Sequence, residues 1–185
     1  MHIDAKGWLE SAKIALSPNF NQRPQGAEVN VLVIHNASLP EDIWGVDDII
    51  ALFQNQLDLN KDPSYHDLAG REVSSHFLIA RDGEIYQLVS VFERAWHAGV
   101  SEFQGVANCN DYSVGIELNG SDHQPFTEEQ YRSLAELTHA LMHYFPGMTL
   151  DRIVGHSDIA LPAGRKTDPG PYFDWAYYRS LLEPV

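Results

Sequence analysis

The sequence predicts a single α/β domain, residues 1–185, in which helices pack on the faces of a mixed β-sheet. Residues 31–34, Val-Leu-Val-Ile, are apolar on both faces of a strand, which is typical of a central strand covered from two sides. Residues 81–83, Arg-Asp-Gly, separate two strand-like segments, and an Asp-Gly pair is a strong signal for a β-hairpin. Thr127 opens a segment with apolar residues at helical spacing and has Gln130 at the capping-box position.

The other elements follow in chain order. An amphipathic pattern predicts an N-terminal helix over residues 4–16 and a second helix over residues 46–53. Residues 54–70 are predicted to form a long polar loop, of a kind that often lies beside a binding site. The remaining predicted elements are strands over residues 73–80, 84–89, 113–119 and 153–154, and a closing helix over residues 173–182.

Composition and charge restrict the partners that the protein is expected to have. Of the 185 residues, 44% are apolar, which is enough for one substantial core. A formal net charge of −14 disfavours binding to nucleic acid, to anionic membranes and to acidic wall polymers, and it favours a small diffusible substrate. The single cysteine, Cys109, excludes an internal disulfide framework, and no apolar run matches a signal peptide or a membrane span. We therefore expect a cytoplasmic protein without an obligate protein partner.

Two histidines and an aspartate form a candidate metal site. His35 lies at the end of the apolar strand, where ligand sites of α/β sheets collect, and His156 follows the short predicted strand at 153–154. Asp158 and Asp168 are both candidates for a third ligand, and spacing alone does not choose between them. Three protein ligands leave one zinc position open for water, as in hydrolytic sites, whereas structural sites have four protein ligands. The sequence therefore predicts a catalytic zinc ion.

A second pair of histidines has the spacing of a metal site but is better explained as surface residues of a helix. His139 and His143 are four residues apart on the predicted helix that follows Thr127, a spacing at which two imidazoles can hold one metal ion. They lie on the polar face of that helix, and the residue after His139 is Ala140 instead of a catalytic glutamate. We expect this pair to be solvated surface.

Four further residues are ambiguous when each is taken alone. Alternation along residues 113–119 predicts that Glu117 faces solvent. The pair Trp96-His97 suits contact with a sugar or a peptide, and local packing explains it equally well. Lys166, by itself, is predicted to lie on the surface.

Six motifs occur in a fixed order along most of the chain. They are Val33-Ile34-His35-Asn36-Ala37-Ser38-Leu39-Pro40, Arg81-Asp82-Gly83-Glu84-Ile85, Arg94-Ala95-Trp96-His97-Ala98-Gly99, Cys109-Asn110-Asp111-Tyr112-Ser113-Val114-Gly115-Ile116-Glu117, Gly164-Arg165-Lys166-Thr167-Asp168-Pro169-Gly170-Pro171 and Phe173-Asp174-Trp175. Together they resemble the AmpD-type anhydro-N-acetylmuramyl-L-alanine amidases, within the wider zinc amidase family that includes the peptidoglycan-recognition proteins. The resemblance implies a mixed-sheet amidase fold and hydrolysis of the amide between the lactyl group of N-acetylmuramic acid and L-alanine of the stem peptide.

The resemblance also implies roles for individual residues. His35, His156 and Asp168 take the zinc positions, which favours Asp168 over Asp158. Glu117 and Lys166 take the catalytic positions. The positions that line the substrate groove of the family are occupied by Asn36, Trp96, His97 and Arg165.

The chain departs from the family pattern at three places. Two extra residues lie between His156 and Lys166, so the loop that carries Lys166 and Asp168 is expected to have its own shape. Asn108 stands where several relatives have an arginine that could hold a peptide carboxylate. Some members of the wider family pair the lysine with a tyrosine soon after the first histidine, and this chain has none between Asn36 and Tyr65. The catalytic base is therefore assigned to Glu117.

These features predict zinc-dependent cleavage of small anhydro-muropeptides during cytoplasmic recycling of peptidoglycan. One alternative is an amidase of the same chemistry that acts on intact cell wall, as an autolysin or a phage lysin does. A second alternative is a module that binds muropeptides without cleaving them. The complete set of ligand and catalytic positions disfavours the binding module, since such a set has no evident use in a binder.

Overall fold

The computed structural model of the chain describes residues 1–183. Its strands, in chain order, are β1 (Lys13–Ile14), β2 (Phe20–Gln22), β3 (Val31–Ala37), β4 (Phe77–Ile79), β5 (Ile85–Gln87), β6 (Glu93–Ala95), β7 (Glu102–Phe103), β8 (Val106–Ala107), β9 (Ser113–Asn119) and β10 (Ile153–Gly155). Its α-helices are α1 (Asp47–Phe53), α2 (Glu128–Tyr144), α3 (His156–Ile159) and α4 (Trp175–Leu182). Short 3-10 helices cover Pro63–Leu68, Cys109–Asp111 and Leu150–Arg152.

Six of the strands form one mixed sheet in the order β1-β5-β4-β9-β3-β10. Strand β3 runs parallel to both of its neighbours, β9 and β10, and β4 is parallel to β9. Strand β5 is antiparallel to β4 and parallel to β1. The predicted mixed sheet is confirmed, and the apolar strand that carries His35 is an inner strand.

The two faces of the sheet are covered differently. Leu32 and Ile34 of β3 and Ile116 of β9 belong to the main core, which also contains the apolar residues of α2 and α4. Because successive side chains of a strand point to opposite faces, His35 of β3 and Glu117 of β9 point away from that core. On their side of the sheet lie α1 and the 3-10 helix Cys109–Asp111, with smaller apolar clusters. The candidate site is therefore built on the face opposite α2.

Most predicted elements are confirmed, with shifts at their ends. The strand over residues 113–119 is observed with the predicted bounds, and β4 and β5 form the hairpin around Gly83, which has a φ of +84°. Helix α2 has the complete capping box, in which Thr127 Oγ1 accepts from Gln130 N and Gln130 Oε1 accepts from Thr127 N. The closing helix begins at Trp175, because Asp174 caps it by accepting from Tyr177 N. Within residues 1–183, no helix is both long enough and apolar enough to cross a membrane.

The predicted N-terminal helix over residues 4–16 is wrong. Asp4 Oδ1 accepts hydrogen bonds from the backbone N–H groups of Lys6 and Trp8, which stabilises a turn in place of a helix. Gly7 has a φ of +81° and lies against Ser90, Phe92 and Val91, so the chain reverses there. The apolar residues that suggested a helical face are used individually, since Ile3 and Leu9 enter the core as a β-bridge pair.

The predicted loop over residues 54–70 is more ordered than expected. It contains the 3-10 helix Pro63–Leu68, whose first turn is capped by Asp62 through Ser64 N. Tyr65 is buried, and its hydroxyl donates to Asp48 Oδ2 of α1 at 2.9 Å. The segment is therefore fastened to α1 at one wall of the site.

Candidate metal centre and active site

Three side chains from separate parts of the sequence converge at the carboxyl ends of β3 and β10. His35 is near the end of β3, His156 follows β10 directly, and Asp168 lies on the loop after α3. The Nδ1 atoms of the two histidines are 3.1 Å apart, and Asp168 Oδ2 is 2.9 Å from Nδ1 of His35 and 3.0 Å from Nδ1 of His156. These three atoms could hold one metal ion, and no other group of this kind occurs among residues 1–183.

The far nitrogen of each imidazole has its own partner. His156 Nε2 lies 2.9 Å from the carbonyl oxygen of Ala98, and a carbonyl can only accept. His35 Nε2 lies 3.0 Å from Nδ1 of His97. Both rings thus direct Nδ1 toward Asp168.

The backbone around Asp168 is held from two sides. Its carbonyl oxygen accepts from Ser157 N at 3.0 Å, and the ring of the following Pro169 lies against Gly155, where an added Cβ would be 2.7 Å from Pro169 Cδ. On the other side, Asn36 Nδ2 donates to the carbonyl oxygen of Pro169 at 2.9 Å and to Asp122 Oδ1 at 2.8 Å.

Burial and hydrogen bonding place His35 and Asp168 in the charge states that suit metal binding. Burial lowers the pKa of His35 to about 4, so that its imidazole is neutral at pH 7. Burial opposes ionisation of Asp168, but hydrogen bonds to His156 and His35 lower its pKa below the usual range. A neutral imidazole and an ionised carboxylate both present lone pairs to a cation.

Glu117 lies beside this group on the next strand. It is directly paired with His35 in the register of β9 and β3, and its side chain faces the site rather than bulk solvent. Burial and the charge of Asp168 raise the pKa of Glu117 to about 8, against the opposing effect of Lys166. Its Oε2 atom is buried and has no hydrogen-bond partner among residues 1–183. The solvent-facing position that alternation favoured is therefore not what the fold produces, because α1 and its neighbours cover this face.

The site opens into two connected cavities that share Asn36, Ala37, Lys166 and Asp168. One, of about 200 Å³, contains the metal-site residues and Glu117 and has a largely apolar wall. That wall is made by Leu39, Ile49, Leu52, Phe53, Leu68 and Val73, with Arg71 at its margin. The other, of about 420 Å³, is polar and is lined by Ser38, Glu41, Ser121, Asp122, Arg165 and Thr167.

A larger cavity of about 600 Å³ lies elsewhere, between the N-terminal segment and β6. Its lining is mostly apolar, and its charged residues are Lys6 and Glu93. We place the active site in the smaller cavities because titratable groups with perturbed pKa values converge there.

The four predicted substrate-groove residues are all near the site, and most of their polar atoms are already paired. Trp96 is half-buried, with Nε1 donating to Asn21 Oδ1 at 2.7 Å. Arg165 donates to the carbonyl oxygens of Ala98 and Val100. Asn36 uses both amide hydrogens within the protein, which leaves its Oδ1 as the free acceptor. His97 is buried behind His35.

The loop before Lys166, where two extra residues are expected, packs against a neighbouring segment. Leu161 N donates to the carbonyl oxygen of Val100, and Ala160 forms a β-bridge with Ser101. Arg165 fastens the other end of the same loop. This loop therefore packs on residues 98–101 and leaves Lys166 at the cavity.

The three residues that were considered as alternative metal ligands lie outside the metal site. Asp158 is exposed, and its Oδ2 accepts from Gly155 N at 2.7 Å at the start of α3. His139 and His143 are exposed on α2, as expected.

Sequence reasoning missed several residues that build the site. Ser113 Oγ lies 3.1 Å from Nε2 of His97, and Asp122 anchors Asn36. Gly115 provides the space for the His97 ring, since an added Cβ would be 2.5 Å from its Cγ. A glycine within a strand is the one available signal, because it marks a close approach by another group.

Comparison with known proteins places this arrangement in a family. The sequence profile of the N-acetylmuramoyl-L-alanine amidases matches residues 25–171. The 1,6-anhydro-N-acetylmuramyl-L-alanine amidase AmpD of Haemophilus influenzae is 48% identical over 178 residues, which are 96% of each chain. A crystal structure of a selenomethionine derivative of AmpD is similar with a TM-score of 0.94 and 46% identity, covering 99% of this chain and 100% of its own.

A more distant structure is that of the AmiD amidase from E. coli in complex with the substrate anhydro-N-acetylmuramic acid-L-Ala-D-gamma-Glu-L-Lys. It has a TM-score of 0.62 and 30% identity, and the match covers 86% of this chain and 60% of that one. The profile match, and the 48% identity over nearly the whole chain, agree with the observed fold and with the convergence of His35, His156 and Asp168. The chain therefore belongs to the N-acetylmuramoyl-L-alanine amidase family, among its AmpD-type members.

Proposed function

We propose that this protein is a zinc-dependent amidase that cleaves the bond between the lactyl group of (anhydro-)N-acetylmuramic acid and L-alanine of the stem peptide. The observation that carries the proposal is the set of His35, His156 and Asp168, whose ligand atoms lie 2.9–3.1 Å apart beside the buried carboxyl group of Glu117. The relatives named above act on this class of bond, which supports the same substrate here.

The donor set fits zinc. Two imidazole nitrogens and one carboxylate oxygen are the ligand types of hydrolytic zinc sites with an open position. Tetrahedral zinc with bonds of about 2.0–2.1 Å separates its ligand atoms by about 3.3 Å, which is close to the observed separations. The ligand atoms of His35, His156 and Asp168 therefore need to move apart by only a few tenths of an ångström, on the order of the tolerance expected of such a site.

Glu117 is the proposed general base. When bound, zinc supplies Lewis acidity and lowers the pKa of water toward 7. In the metal-loaded protein the carboxyl group of Glu117 would be ionised, because a nearby cation lowers its pKa. It would take a proton from the attacking water and then give it to the departing amine of L-alanine, as a positioned carboxylate does. Its unpartnered Oε2 supports this role, because a structural carboxylate would have its hydrogen bonds filled.

Lys166 is the proposed electrostatic stabiliser. It lines the same cavity as Glu117, and its ammonium group is available to the carbonyl oxygen on which negative charge develops. A preformed positive charge at that position stabilises the transition state more than the ground state.

The two cavities differ in polarity, which supports a substrate whose two parts differ chemically. The apolar wall and the polar cavity meet at Asp168 and Lys166, so the scissile amide would lie at their junction. A muropeptide has such halves, a sugar and a peptide, on the two sides of this amide.

We also propose that the protein acts in the cytoplasm, in the recycling of peptidoglycan fragments. The net charge of −14 supports it, since acidic wall polymers would repel the protein. Cell fractionation together with cleavage assays on anhydro-muropeptides and on intact sacculi tests it. Exclusive cleavage of sacculi would favour the autolysin or lysin alternative.

The direct test combines zinc content with product identification on one preparation. A defined anhydro-muramyl tripeptide should yield free tripeptide and the lactyl-bearing sugar, each identified by mass. His35→Ala should lose both zinc and cleavage, whereas the matched surface variant His139→Ala should keep both. Zinc uptake without any amide release would support the muropeptide-binding module instead.

A further inference from the structure

We propose that His97 is a positioning residue, which fixes the ring orientation and the protonated nitrogen of the metal ligand His35, and that Ser113 holds His97 in turn. The inference rests on the proposed role of His35 as a metal ligand. It gives His97, which also lines the smaller cavity, a function in holding the metal ligand.

The two imidazole ligands differ in what holds them. His156 Nε2 faces the carbonyl oxygen of Ala98, and because that oxygen only accepts, the proton of the neutral ring resides on Nε2. Its Nδ1 lone pair is therefore available without further help. His35 has no carbonyl in this position, and its Nε2 faces Nδ1 of His97 at 3.0 Å.

The nitrogen on which His97 carries its proton decides which nitrogen of His35 is protonated. For His35 Nδ1 to bind a cation, the proton must be on Nε2, which then donates to His97 Nδ1. The His97 proton is in that case on Nε2, and Ser113 Oγ lies 3.1 Å away to accept it. Residues 35, 97 and 113 thus form one chain of hydrogen bonds that ends on β9.

The backbone and ring of His97 are held in place. The N–H groups of His97 and Ala98 both donate to Asn110 Oδ1, at 3.1 and 2.8 Å. The ring lies on Gly115, whose added Cβ would be 2.5 Å from Cγ and 2.6 Å from Nδ1 of His97. It meets the His35 ring edge to face, with 5.1 Å between centroids. A ring fixed on this many sides restricts the orientation of its partner.

His97 is buried, and its two ring nitrogens face His35 and Ser113. A neutral imidazole has one acceptor and one donor nitrogen, as a link between His35 and Ser113 needs.

The test measures zinc affinity by competition with a chromophoric chelator, and the visible spectrum of the cobalt(II)-substituted protein. His97→Leu should weaken zinc binding by about 10–100-fold and alter the cobalt spectrum, because the orientation of His35 is lost. His97→Asn should recover most of the affinity, since its side-chain oxygen can occupy the position of Nδ1 and accept from His35. His139→Leu, a surface histidine on α2, is the matched control and should bind zinc as the wild type does.

Two further variants disturb the chain of hydrogen bonds from His35 to Ser113 while keeping the imidazole of His97. Ser113→Ala removes the acceptor for His97 Nε2, and Gly115→Ala displaces the ring while every hydrogen-bonding side chain is kept. Both should weaken zinc binding, with the thermal midpoint of the metal-free protein reporting any general damage separately. If His97→Leu fails to fold, these two variants carry the test.

The outcomes separate this inference from the proposed function. If the wild type binds zinc and the folded variants bind it equally tightly with an unchanged cobalt spectrum, the positioning role is overturned and the amidase proposal stands. If the metal-free midpoint falls while zinc affinity and the spectrum are unchanged, His97 is only structural. A folded wild type that takes up no zinc overturns both proposals.

Discussion

His35 and Glu117 are directly paired residues of adjacent parallel strands, β3 and β9, with both side chains on the same face of the sheet. The candidate base is thereby placed next to a candidate metal ligand by backbone hydrogen bonding alone. Sites built on strands are held more precisely than sites on loops. The relationship also explains why Glu117 is half-buried with its Oε2 atom covered, since the face that carries His35 is covered by α1 and its neighbours.

Replacing the carboxyl group of Glu117 should abolish most turnover without loss of metal. Glu117→Gln keeps the shape of the side chain but cannot take a proton from water, and removal of a general base typically costs about 10²–10⁴-fold in rate. Zinc content should remain that of the wild type. Product release from an anhydro-muramyl tripeptide measures the effect, with Glu136→Gln on the exposed side of α2 as control. Near wild-type turnover would remove Glu117 from the mechanism.

The same variant should change how the stability of the metal-free protein depends on pH. The pKa of Glu117 is raised from 4.5 to about 8 in the folded protein. Between these values the folded state holds a proton that the unfolded state has lost, so this group makes unfolding easier as pH rises, by up to about 1.4 kcal/mol per pH unit. Below about pH 4.5 that penalty is absent.

Glu117→Gln carries no such penalty. The difference in stability between the metal-free variant and the metal-free wild type near pH 4 serves as the reference. From there to about pH 8, this difference should shift progressively in favour of the variant. Thermal midpoints of both metal-free proteins across this range give the difference, in which the titration of groups common to both largely cancels. Parallel stability curves would contradict a raised pKa for Glu117.

Removing the charge of Lys166 should lower the rate more than it weakens substrate binding. In Lys166→Met the developing negative charge loses its stabiliser, so kcat should fall by about 10²-fold or more with a smaller change in KM. Zinc content should not change. Lys6→Met, at an exposed position far from the site, serves as control. A rise in KM at unchanged kcat would assign Lys166 to ground-state binding.

Asn36 should act on Asp168 through the backbone of Pro169. Asn36→Ala removes two hydrogen bonds, to Pro169 O and Asp122 Oδ1, and should destabilise the fold by about 1–3 kcal/mol. Because the loop carrying Asp168 loosens, zinc affinity should also fall. Denaturant unfolding and chelator competition measure the two effects, with Asn60→Ala in the exposed 54–70 segment as control. Unchanged zinc affinity with a raised KM would limit Asn36 to contact with substrate.

The elements with the strongest local signals were predicted well. The apolar run at residues 31–34, the Asp-Gly hairpin and the capping box of Thr127 each rest on interactions within a few residues, and each is confirmed. The N-terminal segment was predicted wrongly because an amphipathic spacing does not reveal the turn at Asp4 or the positive φ of Gly7. There, long-range contacts with residues 90–92 override the local preference.

The candidate site was predicted as a list of side chains, without their connections. The motifs pointed to Asn36, His97 and Arg165 as groove residues, whereas their polar atoms in the fold mostly bind other parts of the protein. Ser113 and Gly115 drew no attention as single residues. Their use depends on His97 lying across β9, which no local pattern encodes.

The sequence by itself determined which residue types are available for the chemistry: two strand-end histidines with an aspartate, a glutamate and a lysine. It also determined the helices and strands that have strong local signals. Only the tertiary structure decided that His35 and His156, which are 121 positions apart, direct the same nitrogen at Asp168, and that Glu117 faces the site instead of water. The physical reason is that periodicity and capping act over a few residues, whereas the order and register of the strands arise from burying the whole sheet. Those long-range pairings place the donor atoms.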